Sequence, residues 1–276
     1  MPLPRGPCLP AVLQAILLQR DPMGTLDAWR LQFGDCFTMN VAPVGKLVVT
    51  VDPAAVKRLL TGSPALYHAG EATARLLPFL GAGSVLLADE SEHVLRRRRL
   101  SPTFRADAVA SYRGWIASFT EDRMARWPHG RPIAVLPKVR ALAFTVIARI
   151  TLGEDAEPEF DELDRRLQRW ISGPVVLAAW LRRGVATAWL STVLRRRQAD
   201  VDELLIRIFR AQRGRLDLDQ RSDLLSGLLW DQGVNREGPI SDADLCDEIR
   251  ALLVVGHETT ASALAWAVEL LAHHPA

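Results

Sequence analysis

The sequence predicts a mainly α-helical protein of the α+β class, with one small β-hairpin near the N-terminus. The chain has 276 residues, of which 49% are hydrophobic and 24% are charged, as is ordinary for a globular protein. Two short strand-like runs precede residue 52, and the sequence after that point favours helices almost to its end. One hairpin followed by many helices indicates an α+β fold in which helices dominate.

The first sixty residues contain the hairpin and its flanking helices. Residues 2–10 are rich in proline, which predicts an extended segment. The further predicted elements are a short helix over 11–18 that Gln14 interrupts, a helix over 23–33 that ends at Gly34, strands over 36–41 and 46–51 joined by a turn with Pro43 and Gly45, and a helix from the Asp52-Pro53 N-cap to about Leu60.

The remainder of the chain is predicted to be helical. Ser241 and Asp244 resemble a capping box at the start of the last and longest helix. Trp170, Trp180 and Trp189 either pack a core or line a ligand channel, and the sequence does not choose between the two. The predicted helices cover 106–127, 137–152, 158–170, 187–213, 220–230 and 242–273.

Charge and cysteine content argue against several classes of protein. The formal net charge of +2 gives no global attraction to nucleic acid. Three cysteines, Cys8, Cys36 and Cys246, have neither disulfide-framework nor zinc-type spacing, which favours a reducing, cytoplasmic setting. The apolar run over 11–18 is too short to cross a membrane, which takes about 20 residues, so no transmembrane anchor is expected.

The long last helix carries polar residues inside an apolar sequence. Gly256 is followed by His257, Glu258, Thr259 and Thr260, although buried polar groups and a mid-helix glycine both cost free energy. Thr259 can donate to the carbonyl four residues earlier and bend the helix, and a glycine there lets a flat ligand or dioxygen approach. From the residues alone, a structural helix with a polar kink remains an equal alternative.

Two other motifs in the chain are incomplete. His257-Glu258 begins a zinc-protease HExxH pattern, but Ala261 stands where the second histidine is needed. Gly81-Ala82-Gly83 lacks the third glycine of a dinucleotide fingerprint.

A second candidate segment combines a histidine with four successive arginines. His93 and Arg97 are four residues apart and share one face of a predicted helix. The planar guanidinium of Arg97 suits a carboxylate ligand. The alternative is a solvated basic face or a small nucleic-acid patch, but successive helical residues point about 100° apart and form no single patch.

Together these segments resemble the cytochrome P-450 family of bacterial-type haem-thiolate monooxygenases. Residues 256–260 are similar to its central-helix motif, (A/G)-G-x-(D/E)-T-(T/S). His93 and Arg97, followed by Pro102-Thr103-Phe104, are similar to its H-x-x-x-R helix and P-x-F. The likeness covers essentially the whole chain. It implies a truncated P-450 fold, with residues 69–71 in a mobile substrate loop and 86–89 leading to the His/Arg helix.

The resemblance also implies the cofactor and the roles of the site residues. Haem would lie against Val255 and Gly256 on the central helix, and its propionates would contact His93 and Arg97. Thr259 would help to deliver protons to dioxygen, with Glu258 as the adjacent acid. The motif usually has Ala or Gly where this chain has Val255, whose branched side chain would crowd the space above the iron.

The implied partners are an electron donor and a small apolar substrate. Electrons would come from NAD(P)H through a ferredoxin or a flavin-type protein, and one oxygen atom of O₂ would enter the substrate. We expect Arg96, Arg98 and Arg99 to be surface or partner-docking residues, which would steer an acidic donor to this face.

The family's axial cysteine lies in an F-x-x-G-x-x-x-C-x-G loop after the central helix, and no cysteine here has that context. We therefore expect residues 1–276 to form a single incomplete domain, the N-terminal portion ending at the oxygen-activating helix, and to be inactive alone. The alternative is a non-catalytic helical remnant or hydrophobe-binding protein derived from the family.

Overall fold

The structure is a computed structural model, and it describes residues 2–42, 44–77, 79–171, 185–234 and 240–274. The side chains of 185–191 and 231–234 are outside this description. Pro43, Trp180 and the side chain of Trp189, for which the sequence suggested roles, therefore lie outside the described residues.

The described residues form a mainly helical protein with one two-stranded antiparallel sheet, as predicted. Within the described ranges, four short 3₁₀ turns connect the helices, at Val85–Leu87, Ser101–Phe104, Glu154–Glu159 and Leu218–Gln220. In chain order the regular elements are α1 (Ala11–Arg20), α2 (Pro22–Phe33), β1 (Cys36–Val41), β2 (Gly45–Thr50), α3 (Pro53–Thr61), α4 (Ala69–Leu76), α5 (Glu90–Leu100), α6 (Ala106–Ala125), α7 (Val135–Leu152), α8 (Phe160–Ile171), α9 (Val185–Arg213), α10 (Leu224–Val234) and α11 (Asp242–His273).

The predicted caps are present where local sequence determines them. The Asp52 carboxylate accepts a hydrogen bond from the Ala55 amide at 2.7 Å and opens α3. The Ser241 hydroxyl accepts one from the Asp244 amide at 3.1 Å and opens α11. These bonds satisfy amides that lack a partner within the first helical turn.

The first helix is held to the hairpin by the residue that interrupts its apolar run. Gln14 is 1% exposed, and its amide donates to the Leu9 carbonyl at 2.7 Å and the Pro7 carbonyl at 3.2 Å. Its side-chain oxygen accepts from the Asn40 amide of β1 at 2.9 Å. Gln14 therefore anchors α1 to the sheet, where the sequence had indicated only an interruption.

The expectation of a loop at residues 69–71 is wrong, because these residues begin helix α4. The Asp89 carboxylate accepts hydrogen bonds from the Gly70 and Glu71 amides at 2.8 Å each. This cap comes from a residue far along the chain, directly before α5. No neighbouring residue therefore signalled the helix.

The main core lies between helices α7 to α10 and the first half of α11. Trp170 is 1% exposed within it, so this tryptophan packs the core. Other buried members from each of the five helices include Phe144, Leu152, Leu163, Leu167, Leu205, Phe209, Leu225, Leu228, Ile249 and Leu253.

Helix α11 is buried in its first half and exposed in its second half. From Thr259 onward, Ala261 is fully buried and most other side chains are exposed. In the described part of the chain, α11 alone is long and apolar enough to cross a membrane, a test that the core helix of a soluble protein also passes. The large exposed apolar side chains of its second half are Leu264, Trp266, Val268, Leu270 and Leu271.

The segment before α5 is bonded to the start of α11. The Gly83 amide donates to Asp247 and the Val85 amide donates to Glu248, both at 2.8 Å. A Cβ at Gly81 would collide with Asp247, one at Gly83 would collide with Asp244 and Asp247, and Gly81 has a φ of 91°. The Gly-x-Gly pattern therefore serves close packing against α11.

Arg96 belongs to this contact and is not the surface residue that we expected. Its side chain is 16% exposed, and it donates to the Ala82 carbonyl at 3.0 Å and the Glu92 carboxylate at 2.5 Å. Because these acceptors lie on either side of the segment leading into α5, Arg96 holds that segment in place.

Glu248 should make the stability of the protein fall as pH rises. Burial raises the pKa of this carboxyl from 4.5 to about 7, against the opposing effects of the Val85 amide and Arg96. Between pH 4.5 and about pH 7 the folded chain keeps a proton on Glu248 that the unfolded chain has lost. The free energy of unfolding therefore decreases as pH rises. We expect a loss of about 2–3 kcal/mol between about pH 5 and pH 8.

Urea unfolding at both pH values checks this prediction. Glu248→Gln should remove the loss, whereas Glu203→Gln, at an exposed position on α9, should retain it. Equal pH dependence in wild type and Glu248→Gln would contradict the assignment.

Candidate functional site

The polar segment of α11 separates into two faces. The Thr259 hydroxyl donates to the Val255 carbonyl at 2.7 Å, the bond that the sequence predicted, and Thr260 donates to Gly256 at 2.8 Å. Val255, Thr259 and Thr260 are exposed. Because residues four apart share a helix face, Val255 and Thr259 form one exposed patch with the hydroxyl beside an apolar side chain.

Gly256 lies where α11 packs closely against α7. A Cβ on this glycine would be 2.7 Å from Cγ1 of Ile147 and 3.0 Å from its Cδ1. The missing side chain is therefore required by the helix–helix contact. The predicted approach of a flat ligand to Gly256 remains a prediction.

Gly256→Val should lower the free energy of unfolding by about 1–3 kcal/mol, because the larger side chain overpacks the contact with Ile147. Urea unfolding of this variant would be compared with that of Gly114→Val. Gly114 is exposed in the middle of α6, and nothing lies within 4 Å of an added Cβ. Equal stability of the two variants would contradict this account of Gly256.

Glu258 is held by side chains from three helices. Its Oε2 lies 2.9 Å from Nη2 of Arg140 on α7. Its Oε1 lies 3.1 Å from Nε2 of His257 and 3.4 Å from the amide nitrogen of Gln168 on α8. The Glu258 side chain is 29% exposed, so the carboxylate has polar partners on the α7–α8 side and access to solvent.

His257 is fully buried beside this carboxylate. Its Nδ1 lies 2.5 Å from the Leu253 carbonyl, and its Nε2 lies 3.2 Å from the Gln168 amide nitrogen. The ring meets Phe144 edge to face, with centroids 5.5 Å apart at 87°. Edge-to-face packing and hydrogen bonds at both nitrogens fix the orientation of the ring.

Sequence reasoning missed Arg140 and Gln168. They are 118 and 90 residues from Glu258, and each occupies an ordinary position on an amphipathic helix. The available signal was an acid inside an apolar helix, which called for a cationic partner but did not indicate which arginine supplies it. Asp164 joins this group, because Gln168 lies 3.4 Å from its carboxylate and burial raises its pKa.

His93 and Arg97 lie one turn apart on α5. His93 is partly buried and Arg97 is exposed, while Leu100, on the same side of the helix, is buried in the core. Within the described residues, neither side chain forms a hydrogen bond or an ion pair, and no hydrogen bond joins the pair to Thr259. The structure thus brings the two predicted residues onto one face of α5.

The cysteines differ in their capacity to become thiolates. Burial in the core raises the pKa of Cys246 to about 12, which keeps it a neutral thiol. Cys8 and Cys36 are exposed in the N-terminal region and on β1. In the ranges that the structure describes, no three His, Cys, Asp or Glu side chains are grouped to hold a metal ion.

Comparison with known proteins identifies the family. The family model for cytochrome P-450 matches residues 2–276. The chain belongs to the cytochrome P-450 family. This agrees with the resemblance seen in the central-helix and His/Arg motifs.

Two mycobacterial P-450 relatives align along the whole chain. Cytochrome P-450 135B1 of Mycobacterium tuberculosis is 36% identical over 277 residues, which cover 100% of this chain and 58% of the relative. Cytochrome P-450 135A1 of the same organism is 36% identical over 280 residues, which cover 99% of this chain and 61% of the relative. The chain therefore spans about three fifths of the length of these proteins.

Solved P-450 structures share the fold. The haem domain of cytochrome P-450DA superposes with a TM-score of 0.78 at 19% identity, over 100% of this chain and 61% of that domain. The retinoic acid complex of cyanobacterial CYP120A1 gives a TM-score of 0.72 at 21% identity, over 99% and 61%. The helical architecture predicted from sequence is thus that of a P-450.

Proposed function

We propose that this chain supplies the oxygen-activating helix of a haem-dependent monooxygenase that inserts one atom of O₂ into a small apolar substrate. The observation that carries the proposal is the arrangement on α11. Thr259 is exposed beside Val255, and the acid Glu258 is anchored immediately behind it by Arg140 and His257. Membership of the P-450 family supports this function.

The described residues fit the part of a haem site that this chain would provide. His93 and Arg97 offer two nitrogen donor groups on one face of α5, suited to the propionates, and Val255, Gly256 and Thr259 would line the distal side. Haem, when bound, would supply the redox chemistry of oxygen activation. Val255 is 36% exposed on this patch and would narrow the space for oxygen and substrate.

Thr259 and Glu258 would act as a proton-delivery pair. The hydroxyl hydrogen of Thr259 is engaged by the Val255 carbonyl, so its oxygen can accept a further hydrogen bond. Thr259 can pass a proton outward only if it receives another. Glu258, the adjacent acid with partial access to solvent, would donate the replacement proton to Thr259.

Residues 1–276 would contribute to one P-450 domain, with the iron ligand supplied from outside the described residues. The neutral, buried thiol of Cys246 makes it unsuited to bind iron. Electrons would come from NAD(P)H through a ferredoxin or flavin-type partner in the cytoplasm. The exposed Arg97 and Arg98 on α5 would attract an acidic partner.

Haem titration of the purified chain tests the cofactor assignment. His93→Ala and Arg97→Ala should each weaken haem binding by about 10-fold or more, since a hydrogen bond to a charged group contributes about 1.5–3 kcal/mol. Arg98→Ala is the matched control, because its side chain points about 100° away from that of Arg97. Its haem affinity should stay at the wild-type value.

Equal haem affinity in all four proteins would contradict the assignment of His93 and Arg97. A carbon monoxide difference spectrum of the reduced, haem-loaded chain adds a second measurement. We expect no thiolate-type Soret band from the chain alone. Failure to bind haem, together with binding of an apolar probe at the row from Leu264 to Leu271, would favour a non-catalytic hydrophobe-binding protein.

A further inference from the structure

We propose that His257 and Glu258 share one proton, which rests on His257, and that His257 is the positioning residue from which Glu258 is reprotonated. The catalytic meaning of this pair rests on the proposed function. The location of the proton follows from the geometry of the buried polar group and can be measured without haem or substrate.

The Nδ1 atom of His257 carries a hydrogen because of its position. It lies 2.5 Å from the Leu253 carbonyl oxygen, which can only accept a hydrogen bond. Nδ1 must therefore carry a hydrogen. In a neutral ring, Nε2 would then be an acceptor, with the Gln168 amide nitrogen 3.2 Å away as a possible donor.

Nε2 of a neutral ring would face a second hydrogen-bond acceptor. Nε2 lies 3.1 Å from Oε1 of Glu258, and an ionised carboxylate is also only an acceptor. Two acceptors at this distance repel each other in a site where His257 has no exposed surface. A proton between Nε2 and Oε1 converts the repulsion into a charge-assisted hydrogen bond.

The surrounding charges place the shared proton on His257 and not on Glu258. Arg140 Nη2 is 2.9 Å from Oε2 of Glu258 and favours the carboxylate form. Asp164 on α8 adds a second acidic group, and the attraction of His257 and Arg140 opposes the rise that burial gives its pKa. With His257 protonated, Arg140 and His257 balance Glu258 and Asp164 in charge.

Once the proton has moved to Glu258, the Gln168 amide can donate a hydrogen bond to His257 in its place. Its amide nitrogen is 3.2 Å from Nε2 of His257, so it can donate to the bare nitrogen. In the transfer, the Nε2–H bond breaks and an O–H bond forms at Oε1 of Glu258, leaving a neutral imidazole and a neutral acid. Because Glu258 is 29% exposed and His257 is fully buried, protons enter and leave the pair through Glu258.

Nitrogen NMR of the full chain with ¹⁵N-labelled histidine tests the proposal. At about pH 7 we expect both ring nitrogens of His257 to carry hydrogens. In Glu258→Gln, we expect loss of the Nε2–H signal and a ring in the neutral Nδ1–H form, since the carboxylate that holds the proton is gone. His257→Gln assigns the signals among the six histidines of the chain.

The matched control is Glu269→Gln, the same change on the same helix. Glu269 pairs with His273, which is exposed, at 3.4 Å. His257 signals should be unchanged in this variant. A neutral His257 with a bare Nε2 in the wild-type chain would overturn the proposal, and this measurement stands even if Glu258→Gln fails to fold. Loss of haem binding with the His257 signals as expected would reject the proposed function and leave the shared proton intact.

Discussion

Arg250→Met should lower the free energy of unfolding by about 3–5 kcal/mol, because it leaves two partly buried carboxylates without their cation. Arg250 is fully buried on α11. Its Nε lies 3.1 Å from the Asp202 carboxylate on α9, and its guanidinium also binds Asp247 and lies 5.0 Å from the ring centroid of Trp170. Methionine can fill much of the space but cannot neutralise the two acids.

Urea unfolding with two comparison variants checks this effect. Arg210→Met, at an exposed position on α9, should change stability by less than about 0.5 kcal/mol. Adding Asp202→Asn and Asp247→Asn to Arg250→Met should restore a large part of the loss, since no unpaired charge then remains buried. If Arg250→Met unfolds at the wild-type urea concentration, the ion group contributes nothing to stability.

In a haem-loaded P-450 that carries this helix together with the iron ligand, Thr259→Ala should lower substrate oxidation by about 10²- to 10⁴-fold, the usual contribution of a positioned proton-transfer group. Under the proposed function, removal of the hydroxyl would break the route by which Glu258 supplies protons to the exposed face of α11. Oxidised product formed per electron pair consumed is the quantity to measure, because a broken proton route should reduce product more than electron uptake.

Thr260→Ala is a close control for this experiment. Thr260 makes the same bond to the carbonyl four residues back, at 2.8 Å against 2.7 Å for Thr259, and both residues are exposed. A change in helix bending would therefore affect both variants alike. Equal loss of activity in Thr259→Ala and Thr260→Ala would show that the hydroxyls act on helix shape rather than on proton delivery.

The first turns and the middle of α11 lie in different environments, which explains these expected effects. Its first turns bind the segment before α5 through Asp247 and Glu248, and they hold Arg250 in the core. The middle presents Thr259 on one face and Glu258 on the other. Substitutions in the first part should therefore change stability, whereas substitutions at Thr259 should change chemistry.

The sequence alone determined the elements that depend on neighbours within a few residues. The caps at Asp52 and Ser241 and the Thr259 bond to Val255 join residues three or four apart, and all three are present. The bounds of α11 agree with the prediction because its cap and its apolar length are both local. The family motifs were also local, which is why fold class and family could be inferred before any coordinates.

Only the tertiary structure decided which distant groups meet. It bonded Arg96 to the Ala82 carbonyl, packed Gly256 against Ile147 and paired Glu258 with Arg140. The last two contacts join residues about a hundred positions apart, and the sequence offers many equivalent arginines and aliphatic side chains for each. Which of them is close depends on how α7 and α8 pack on α11, a property of the whole core and not of any short segment.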